Sequence, residues 1–289
     1  MPSHLEAFIE RYPRLFVLTG AGCSTESGIP DYRGADGEWK RPPPVMFDTF
    51  MTNRLTRARY WARSLVGWPR FQAAKPNVAH HALTSLEQRG HLELLVTQNV
   101  DRLHHLAGSR QVVDLHGRLD IVRCMSCPHR VTREQMQLDL QQRNPPWRDL
   151  EARTAPDGDA DLQGVDFATF EVPVCARCGG VLKPDVVFFG ESVPRDRVVR
   201  CMRAVLQADA ALVLGSSLMV YSGYRFVQAA AEAGKPIAAV NLGLTRADEL
   251  LDLKISQPCG TALAYLLEPT EGLRTRGLLG PGVRESRTV

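Results

Sequence analysis

The chain has 289 residues, of which 35 are basic and 32 are acidic, so its formal net charge is only +3. This balance excludes the strongly basic surface on which general nucleic-acid binding depends. The longest apolar runs have the length of strands and fall well short of the ~20 residues that span a membrane. The opening residues lack a secretory signal and include Glu6 and Glu10, unlike an acid-poor organelle presequence. We therefore expect a cytoplasmic protein without membrane or nucleic-acid partners, long enough for one large domain and a smaller one.

Four short apolar segments are each followed by turn residues, which predicts the strands of a sheet. They lie at 15–18, 92–97, 210–214 and 236–240. Strands that are apolar at nearly every position are buried on both faces, which is typical of a parallel sheet covered by helices. We therefore predict an α/β fold with a doubly wound, Rossmann-like parallel sheet. Ligands of such sheets bind beyond the carboxyl ends of the strands.

The turn after the first predicted strand reads Gly20-Ala21-Gly22 and indicates a diphosphate-binding loop. Glycines let the backbone approach a phosphate closely, and amides near a helix N-terminus point toward it. Thr25 stands where the dehydrogenase fingerprint has its third glycine, and no acidic residue closes a second strand at the expected distance. A hydride-transfer dehydrogenase is thereby disfavoured. If the motif stood alone, a tight turn without a ligand would be the favoured interpretation.

Two Cys-x-x-Cys pairs, Cys124/Cys127 and Cys175/Cys178, predict one structural zinc ion. Four thiolates fill a tetrahedral shell and leave no position open for water or substrate. His129 is an alternative ligand, although four cysteines already satisfy the metal. The 47 residues between the pairs exceed the ~15–20 of a zinc ribbon, so a long insertion belongs to this smaller, helical and zinc-ribbon domain.

Four further motifs, in this order along the chain and together with the cysteine pairs, resemble the sirtuin family. They are Thr19–Gly34, Thr97–His104, Asp114–Gly117 and Lys183–Glu191. The resemblance covers about residues 5–268. It implies an enzyme that consumes NAD as co-substrate to remove acyl groups from lysine side chains of proteins, with nicotinamide, free lysine and O-acyl-ADP-ribose as products.

The resemblance also implies which residues hold NAD. The diphosphate and flap residues would be Gly20, Ala21, Gly22, Asp31, Tyr32 and Arg33. The nicotinamide pocket, the ribose and phosphate contacts and the adenosine end would be formed by Gln98, Asn99, Asp101, Gly215, Ser216, Ser217, Asn241, Gly243 and Cys259.

By resemblance, His116 and Asn99 are expected to take part in the chemistry, and Asp101 is expected to bind the nicotinamide. By resemblance, His116 is the general base that deprotonates a ribose hydroxyl after the acyl oxygen has displaced nicotinamide. An imidazole titrates in the range that this task requires. Asn99 would hold the ribose hydroxyls, and Asp101 would accept from the carboxamide N–H.

The acyl-lysine segment is expected to add as a strand between residues 186–191 and 219–221, with Val187 and Phe188 lining an apolar tunnel. Tyr60 and Arg63, three apart on a predicted helix within 49–66, resemble a pair that binds acidic acyl groups. A packed ring beside a solvated charge explains the same spacing equally well.

Four further segments resemble the sirtuin-four-type, class II branch of the family. Members of that branch are linked to lipoyl, biotinyl and branched acidic acyl groups and to ADP-ribosyl transfer. The four segments are Arg59–Arg63, Val66–Pro69, Ala155–Asp159 and Tyr221–Arg225. We therefore expect a preference for acyl groups other than acetyl, with the insertion at 128–174 influencing the choice. A spacer loop that does not contact the substrate is the alternative.

We expect an NAD-binding domain made of residues 1–34, 77–121 and 184–268. Residues 35–76 and 122–183 would form the smaller domain, and residues 269–289 would be a loose tail. Two other functions remain open: transfer of ADP-ribose to a protein nucleophile, and a non-catalytic NAD-responsive binding module.

Overall fold

The fold is described from a computed structural model, which describes residues 3–34, 36–40, 44–148, 150, 162 and 165–268. The motif at 155–159 and the predicted tail at 269–289 lie outside the described residues, as does part of the insertion. No helix in the described part is long and apolar enough to cross a membrane.

The described chain alternates between strands and helices. The strands are β1 (Leu15–Thr19), β2 (Leu92–Thr97), β3 (Val112–Asp114), β4 (Gly117–Cys124), β5 (Arg130–Thr132), β6 (Leu182–Val186), β7 (Ala210–Leu214), β8 (Ile237–Val240) and β9 (Leu253–Ile255). The helices are α1 (His4–Arg11), α2 (Phe47–Thr52), α3 (Arg54–Gln72), α4 (Val78–Gln88), α5 (Leu103–Leu106), α6 (Arg133–Arg143), α7 (Arg195–Gln207), α8 (Tyr221–Glu232) and α9 (Cys259–Leu263).

The larger sheet has six parallel strands in the order β3-β2-β1-β7-β8-β9. Strand β1 lies in the middle, and the chain extends the sheet first on one side of it and then on the other. This arrangement confirms the predicted doubly wound sheet, and its switch point lies between β1 and β7.

Side chains of β1 alternate between the two faces of the sheet, and both faces are buried. Leu15 and Val17 pack with residues of α1, α4 and α9, whereas Phe16 and Leu18 pack with residues of α7 and α8. A strand covered on both faces is apolar at every position, which is why the sequence pattern identified it.

A smaller antiparallel sheet, in the order β5-β4-β6, packs with α2, α3 and α6. This small sheet has its own apolar core.

The helix predicted within 49–66 is in fact two helices, because Asn53 has extended backbone angles and its side chain caps the first turn of α3. Residues Pro145–Trp147, within the insertion, form a single 3-10 turn.

No α-helix begins directly after β1, contrary to the prediction for the glycine turn. Two short 3-10 turns, Ala21–Cys23 and Thr25–Ser27, follow the strand instead. Side chains in this segment bond to nearby groups, as Thr25 Oγ1 does to the carbonyl of Gly22. Such bonds compete with helix formation.

Candidate active site

A cavity of about 800 Å³ lies beyond the carboxyl ends of β1, β2, β7 and β8. It is lined by His116 and by all fifteen residues predicted to hold NAD, from Gly20 to Cys259. Of the four predicted substrate residues, Tyr60, Val187 and Phe188 also line it. Side chains predicted from separate motifs are thus brought to one place.

The glycines of the first turn are required by contact with a second turn, which follows β7. The amide of Gly22 donates to the carbonyl of Gly215 over 2.8 Å. A Cβ atom on Gly20 would lie 2.8 Å from that same carbonyl oxygen, and one on Gly215 would lie 2.3 Å from the amide nitrogen of Cys23. The sequence interpretation assigned these glycines to phosphate approach, and the structure adds a second reason for them, because two backbone segments need the space.

Ser24 links two of the three polar residues of the predicted nicotinamide pocket, Asn99 and Asp101, and sequence reasoning did not single it out. Its hydroxyl donates to Asp101 Oδ2 over 2.7 Å and accepts from the side-chain amide nitrogen Nδ2 of Asn99 over 3.0 Å. That amide also donates to the carbonyl of Gly20. With both amide protons used, Asn99 offers only its carbonyl oxygen, an acceptor, to a ligand. The only sequence signal for Ser24 is its position inside the Thr19–Gly34 motif.

The carboxyl group of Asp101 is buried, and burial raises its pKa. The backbone amide of Leu103 and the hydroxyl of Ser24 donate to it and oppose this shift. Its two oxygen atoms are therefore held in fixed directions beside Asn99.

The imidazole of His116 is held in one tautomer. Its Nδ1 lies 3.1 Å from the carbonyl oxygen of Gln98, which can only accept, so Nδ1 carries the proton. Its Nε2 is therefore the basic nitrogen, and it accepts from the hydroxyl of Ser222 over 2.7 Å. Burial lowers the pKa of His116 to about 4, although the bond to Gln98 opposes the shift. The ring is a neutral base at neutral pH.

The chain next to His116 joins the base to the predicted acyl tunnel. The carbonyl of His116 accepts from the amide of Val187 over 2.7 Å. Gly117 has φ +86°, and a Cβ atom there would lie 2.0 Å from the carbonyl oxygen of Asp185. Only glycine allows β4 and β6 to approach this closely.

The rings of Phe188 and Tyr60 form the apolar wall of the cavity, with centroids 5.4 Å apart. Phe50 packs edge-on against both rings. Tyr60 is only 4% exposed. Arg63 is partly buried and is not among the described residues that line the cavity. The structure therefore does not bring the Tyr60 and Arg63 side chains together at the cavity.

A buried ion pair holds the segment that carries Val187 and Phe188. Lys183 is fully buried, and its ammonium group donates to Glu191 over 2.9 Å and to the carbonyl of Val186. Glu191 also accepts from the backbone amide of Phe188 over 3.0 Å. Burial lowers the pKa of Lys183, and the bond to Glu191 opposes that shift.

Trp39 is a second cavity residue that sequence reasoning missed. The guanidinium carbon of Arg33 lies 4.0 Å from the centre of a ring of Trp39, and Arg33 also donates to the carbonyl of Gly37. Trp39 contacts the rings of Tyr32 and Phe189 edge-on. The predicted flap is thus packed against the segment that follows the acyl tunnel.

The four paired cysteines converge on one point, with their sulfur atoms all within 4.8 Å of one another. Sulfur–sulfur distances are 3.5 Å for Cys124 and Cys178 and 3.7 Å for Cys127 and Cys175. Zn–S bonds of ~2.3 Å in a tetrahedron place neighbouring sulfurs about 3.8 Å apart. The cluster therefore fits a structural zinc ion.

Comparison with known proteins identifies the family. Residues 20–222 match the model of the Sir2 family. A protein of Xanthomonas campestris pv. campestris (strain 8004), named NAD-dependent protein deacetylase, is 66% identical over 271 residues, which are 94% of this chain and 92% of the relative. The NAD-dependent protein deacylase Sirt4 of Drosophila melanogaster is 47% identical over 267 residues, 91% of this chain and 86% of the relative.

Solved structures give the same result. A Sir2 structure described as a complex with a p53 peptide and NAD⁺ aligns with a TM-score of 0.72 at 29% identity, over 92% of this chain and 97% of that one. The chain belongs to the Sir2 family, the sirtuins.

Proposed function

We propose that this chain is an NAD-dependent protein-lysine deacylase, which releases nicotinamide and free lysine and forms O-acyl-ADP-ribose. The observation that carries the proposal is the neutral His116, whose basic Nε2 lies in the same cavity as Asn99 and Asp101. A pure NAD-binding module has no need of a fixed base in this position.

The cavity residues suit NAD. A volume of about 800 Å³ lies within the ~300–1,000 Å³ of small-molecule sites. We assign the diphosphate to the turn of Gly20, Ala21 and Gly22, with Arg33 as the cationic contact on the flap. The acceptor oxygen of Asn99 suits ribose hydroxyl groups, which can donate to it.

The remaining contacts are assigned from the same cavity. Gln98 and Asp101 would bind the nicotinamide end, and the other residues would hold the ribose, phosphate and adenosine parts. These other residues are Asp31, Tyr32, Gly215, Ser216, Ser217, Asn241, Gly243 and Cys259.

NAD supplies an anomeric carbon with nicotinamide as the leaving group, and the acyl oxygen of the lysine substrate takes its place. The role of His116 is to accept the proton of a ribose hydroxyl at Nε2, so that this hydroxyl can attack the acyl carbon. Its pKa of about 4 keeps Nε2 unprotonated at neutral pH. The carbonyl of Gln98 keeps the proton on Nδ1 and so directs the basic nitrogen into the cavity.

We propose that the acyl-lysine of a protein substrate enters beside the segment 186–191, with Val187, Phe188 and Tyr60 around the apolar part of the side chain. The backbone bond between Val187 and His116 supports this placement, because it sets the tunnel next to the base. Arg63 would affect an acidic acyl group only from outside the described cavity lining.

We further propose that the enzyme belongs to the sirtuin-four-type, class II branch and prefers acyl groups other than acetyl. The 47% identity to a deacylase named Sirt4 supports this placement, although the relatives at 66% are named deacetylases. The aromatic wall of Tyr60 and Phe188, packed against Phe50, is a feature that can select among acyl groups.

We also propose that residues 1–34, 77–121 and 184–268 form the NAD-binding domain, and that residues 35–76 and 122–183 form the zinc-containing domain. Two separate sheets with separate apolar clusters support this division. A cytoplasmic location remains part of the proposal.

The test is mass spectrometry of the protein incubated with NAD and lysine peptides that carry acetyl, glutaryl, methylglutaryl, lipoyl or long-chain acyl groups. We expect O-acyl-ADP-ribose from at least one non-acetyl peptide in greater yield than from the acetyl peptide. The variant His116→Ala should bind NAD and form no product. Stable ADP-ribose on protein, without any acyl product, would instead indicate an ADP-ribosyltransferase, and a higher yield from acetyl would overturn the acyl preference alone.

A further inference from the structure

One cation of the active-site cavity lacks a hydrogen-bonding partner among the described residues. Three ammonium or guanidinium groups of the described ranges line the cavity, those of Arg33, Lys40 and Arg225. Arg33 donates to the carbonyl of Gly37, and Lys40 pairs with Asp31. Arg225 has neither a hydrogen bond nor an ion pair within the described part of the chain, and its Nε atom is buried without an acceptor there.

The acidic side chains of the cavity do not supply the missing partner, because each is held elsewhere. Each carboxylate accepts a hydrogen bond from another group: Glu26 from the amide of Gly260, Asp31 from Lys40, Asp101 from Ser24, and Glu191 from Lys183. A buried donor without an acceptor is unfavourable. Among the described cations of the cavity, Arg225 is therefore the one that is available to an anionic ligand.

Arg225 lies beside an exposed tyrosine that also lines the cavity. It follows Tyr221 by four residues on α8, and its guanidinium carbon lies 5.0 Å from the centre of the Tyr221 ring. Tyr221 lines the cavity and is 55% exposed. Between them in sequence, Ser222 contacts the base His116. An anion bound here would lie close to the reacting groups but in contact with the outside.

We propose that Arg225 and Tyr221 form a subsite for a carboxylate on the polypeptide that carries the acyl-lysine, that is, for an acidic residue near the modified lysine. The planar guanidinium suits a carboxylate, and the phenol hydroxyl is a further donor. The inference rests on the proposed function, since it assumes an acyl-lysine substrate.

Two other anions are less consistent with this position. The acyl group is assigned to the apolar wall of Val187, Phe188 and Tyr60, whereas Arg225 packs against the exposed ring of Tyr221. The diphosphate of NAD is assigned to the glycine turns after β1 and β7, whereas Arg225 lies in the second turn of α8. The exposed stack with Tyr221 therefore favours the polypeptide as the source of the carboxylate.

The experiment compares peptides with one acyl-lysine and either Glu or Gln at each flanking position in turn, all with the same neutral acyl group. For wild-type protein we expect at least one Glu peptide to exceed its Gln partner about tenfold in kcat/KM, the size expected of one charge-assisted hydrogen bond. Arg225→Gln should bring this ratio to about one, and Arg225→Lys should leave an intermediate ratio because the fork is lost.

Arg246 provides a matched control. Its guanidinium carbon lies 4.4 Å from the ring centre of Tyr224, a residue of α8 like Tyr221 and Arg225. Arg246 does not line the described cavity. Arg246→Gln removes a comparable arginine–tyrosine contact and should keep the tenfold ratio.

The other sources of the anion are separate arms of the test. Equal rates for Glu and Gln peptides with wild-type protein would overturn the subsite. If Arg225→Gln lowers kcat/KM only for glutaryl peptides relative to peptides with a neutral acyl group, the carboxylate belongs to the acyl chain. If Arg225→Gln lowers the affinity for NAD by a similar factor, the anion is the diphosphate. Either result overturns the proposal. If no peptide is turned over, the proposed function fails, and the affinities of fluorescent Glu and Gln peptides still decide whether the subsite exists.

Discussion

The hydroxyl oxygen of Ser222 lies 2.7 Å from Nε2 of His116, so a side chain of α8 occupies the single basic nitrogen of the proposed general base. A ribose hydroxyl must replace Ser222 before its proton can be taken. Ser222 therefore both orients the ring and competes with the substrate for Nε2. Sequence reasoning identified His116 but had no signal for this contact, because the two residues are 106 positions apart.

Ser222→Ala should move the acidic limb of the kcat/KM profile of the deacylation reaction to higher pH. The serine donates to the neutral imidazole and so favours the unprotonated form, and its removal raises the pKa of His116. The measurement is kcat/KM from about pH 4 to 8. Ser222→Thr keeps a hydroxyl and should restore the wild-type limb; an unchanged limb in Ser222→Ala would show that the serine does not act on the base.

The stability of the fold should fall as the pH drops below neutral. Burial lowers the pKa of His80 and of His116 to about 4 each, and that of His104 well below its ordinary value of 6.5. Because these folded-state values lie below those of the unfolded chain, the unfolded state binds more protons in acid. Their contribution to stability is fully present above about pH 6.5 and is lost as the pH falls toward about 4. A tenfold difference in proton affinity between the folded and unfolded states corresponds to about 1.4 kcal/mol for each histidine.

The measurement is the free energy of urea unfolding at several pH values between about 4 and 7. His80→Asn keeps a polar side chain next to Asn77 but does not titrate, and it should flatten the dependence. Equal pH dependence in wild type and His80→Asn would show that His80 does not contribute.

The parallel sheet could be predicted because its central strands are apolar on both faces, as Phe16 and Val17 in β1 illustrate. The short edge strands β3 and β9 were not predicted, since three residues carry too little periodicity to separate a strand from a loop. The break at Asn53 was missed for a related reason: a capping side chain is compatible with both a continuous helix and a helix start until the backbone angles are known.

The site residues were predicted from motifs that each lie on one segment of the chain. What could not be predicted is how separate segments meet, such as the contact of Ser24 with Asp101 and the position of Arg225 in the cavity lining. The position of Arg63 shows the converse. A spacing of three places Tyr60 and Arg63 on one side of α3, but of these two residues the described cavity lining includes Tyr60 alone.

Cys175→Ser should remove zinc and unfold the small sheet, because a structural metal contributes free energy of folding. Cys175 is buried and belongs to the same apolar cluster as Phe50 and Trp61. Zinc content by mass spectrometry of the metal and hydrogen exchange of β4–β6 give the two measurements. His129→Ala is the control and should retain one zinc per chain; retention of zinc and protection in Cys175→Ser would contradict the four-cysteine site.

Gly117→Ala should destabilise the protein strongly and reduce activity. The added Cβ would lie 2.0 Å from the carbonyl oxygen of Asp185, at a φ of +86° that non-glycine residues rarely adopt. We expect a loss of about 2–4 kcal/mol in the free energy of unfolding, together with displacement of His116. Gly90→Ala is the matched control, since it also has positive φ but no atom within 4 Å of the added Cβ. Losses of equal size in both variants would attribute the effect to φ alone.

Lys183→Met should affect stability and acyl binding together. The substitution leaves the buried carboxylate of Glu191 without its 2.9 Å partner, and breaking a buried ion pair costs about 3–5 kcal/mol. Arg123 and the amide of Phe188 still donate to Glu191, which places the expected loss near the lower end of that range. Because the same carboxylate holds Phe188 in the cavity wall, KM for the acyl peptide should rise while NAD affinity stays unchanged. Lys183→Met/Glu191→Gln removes the uncompensated charge and should recover much of the stability; a double variant no more stable than Lys183→Met would show that the ion pair is not what holds this segment.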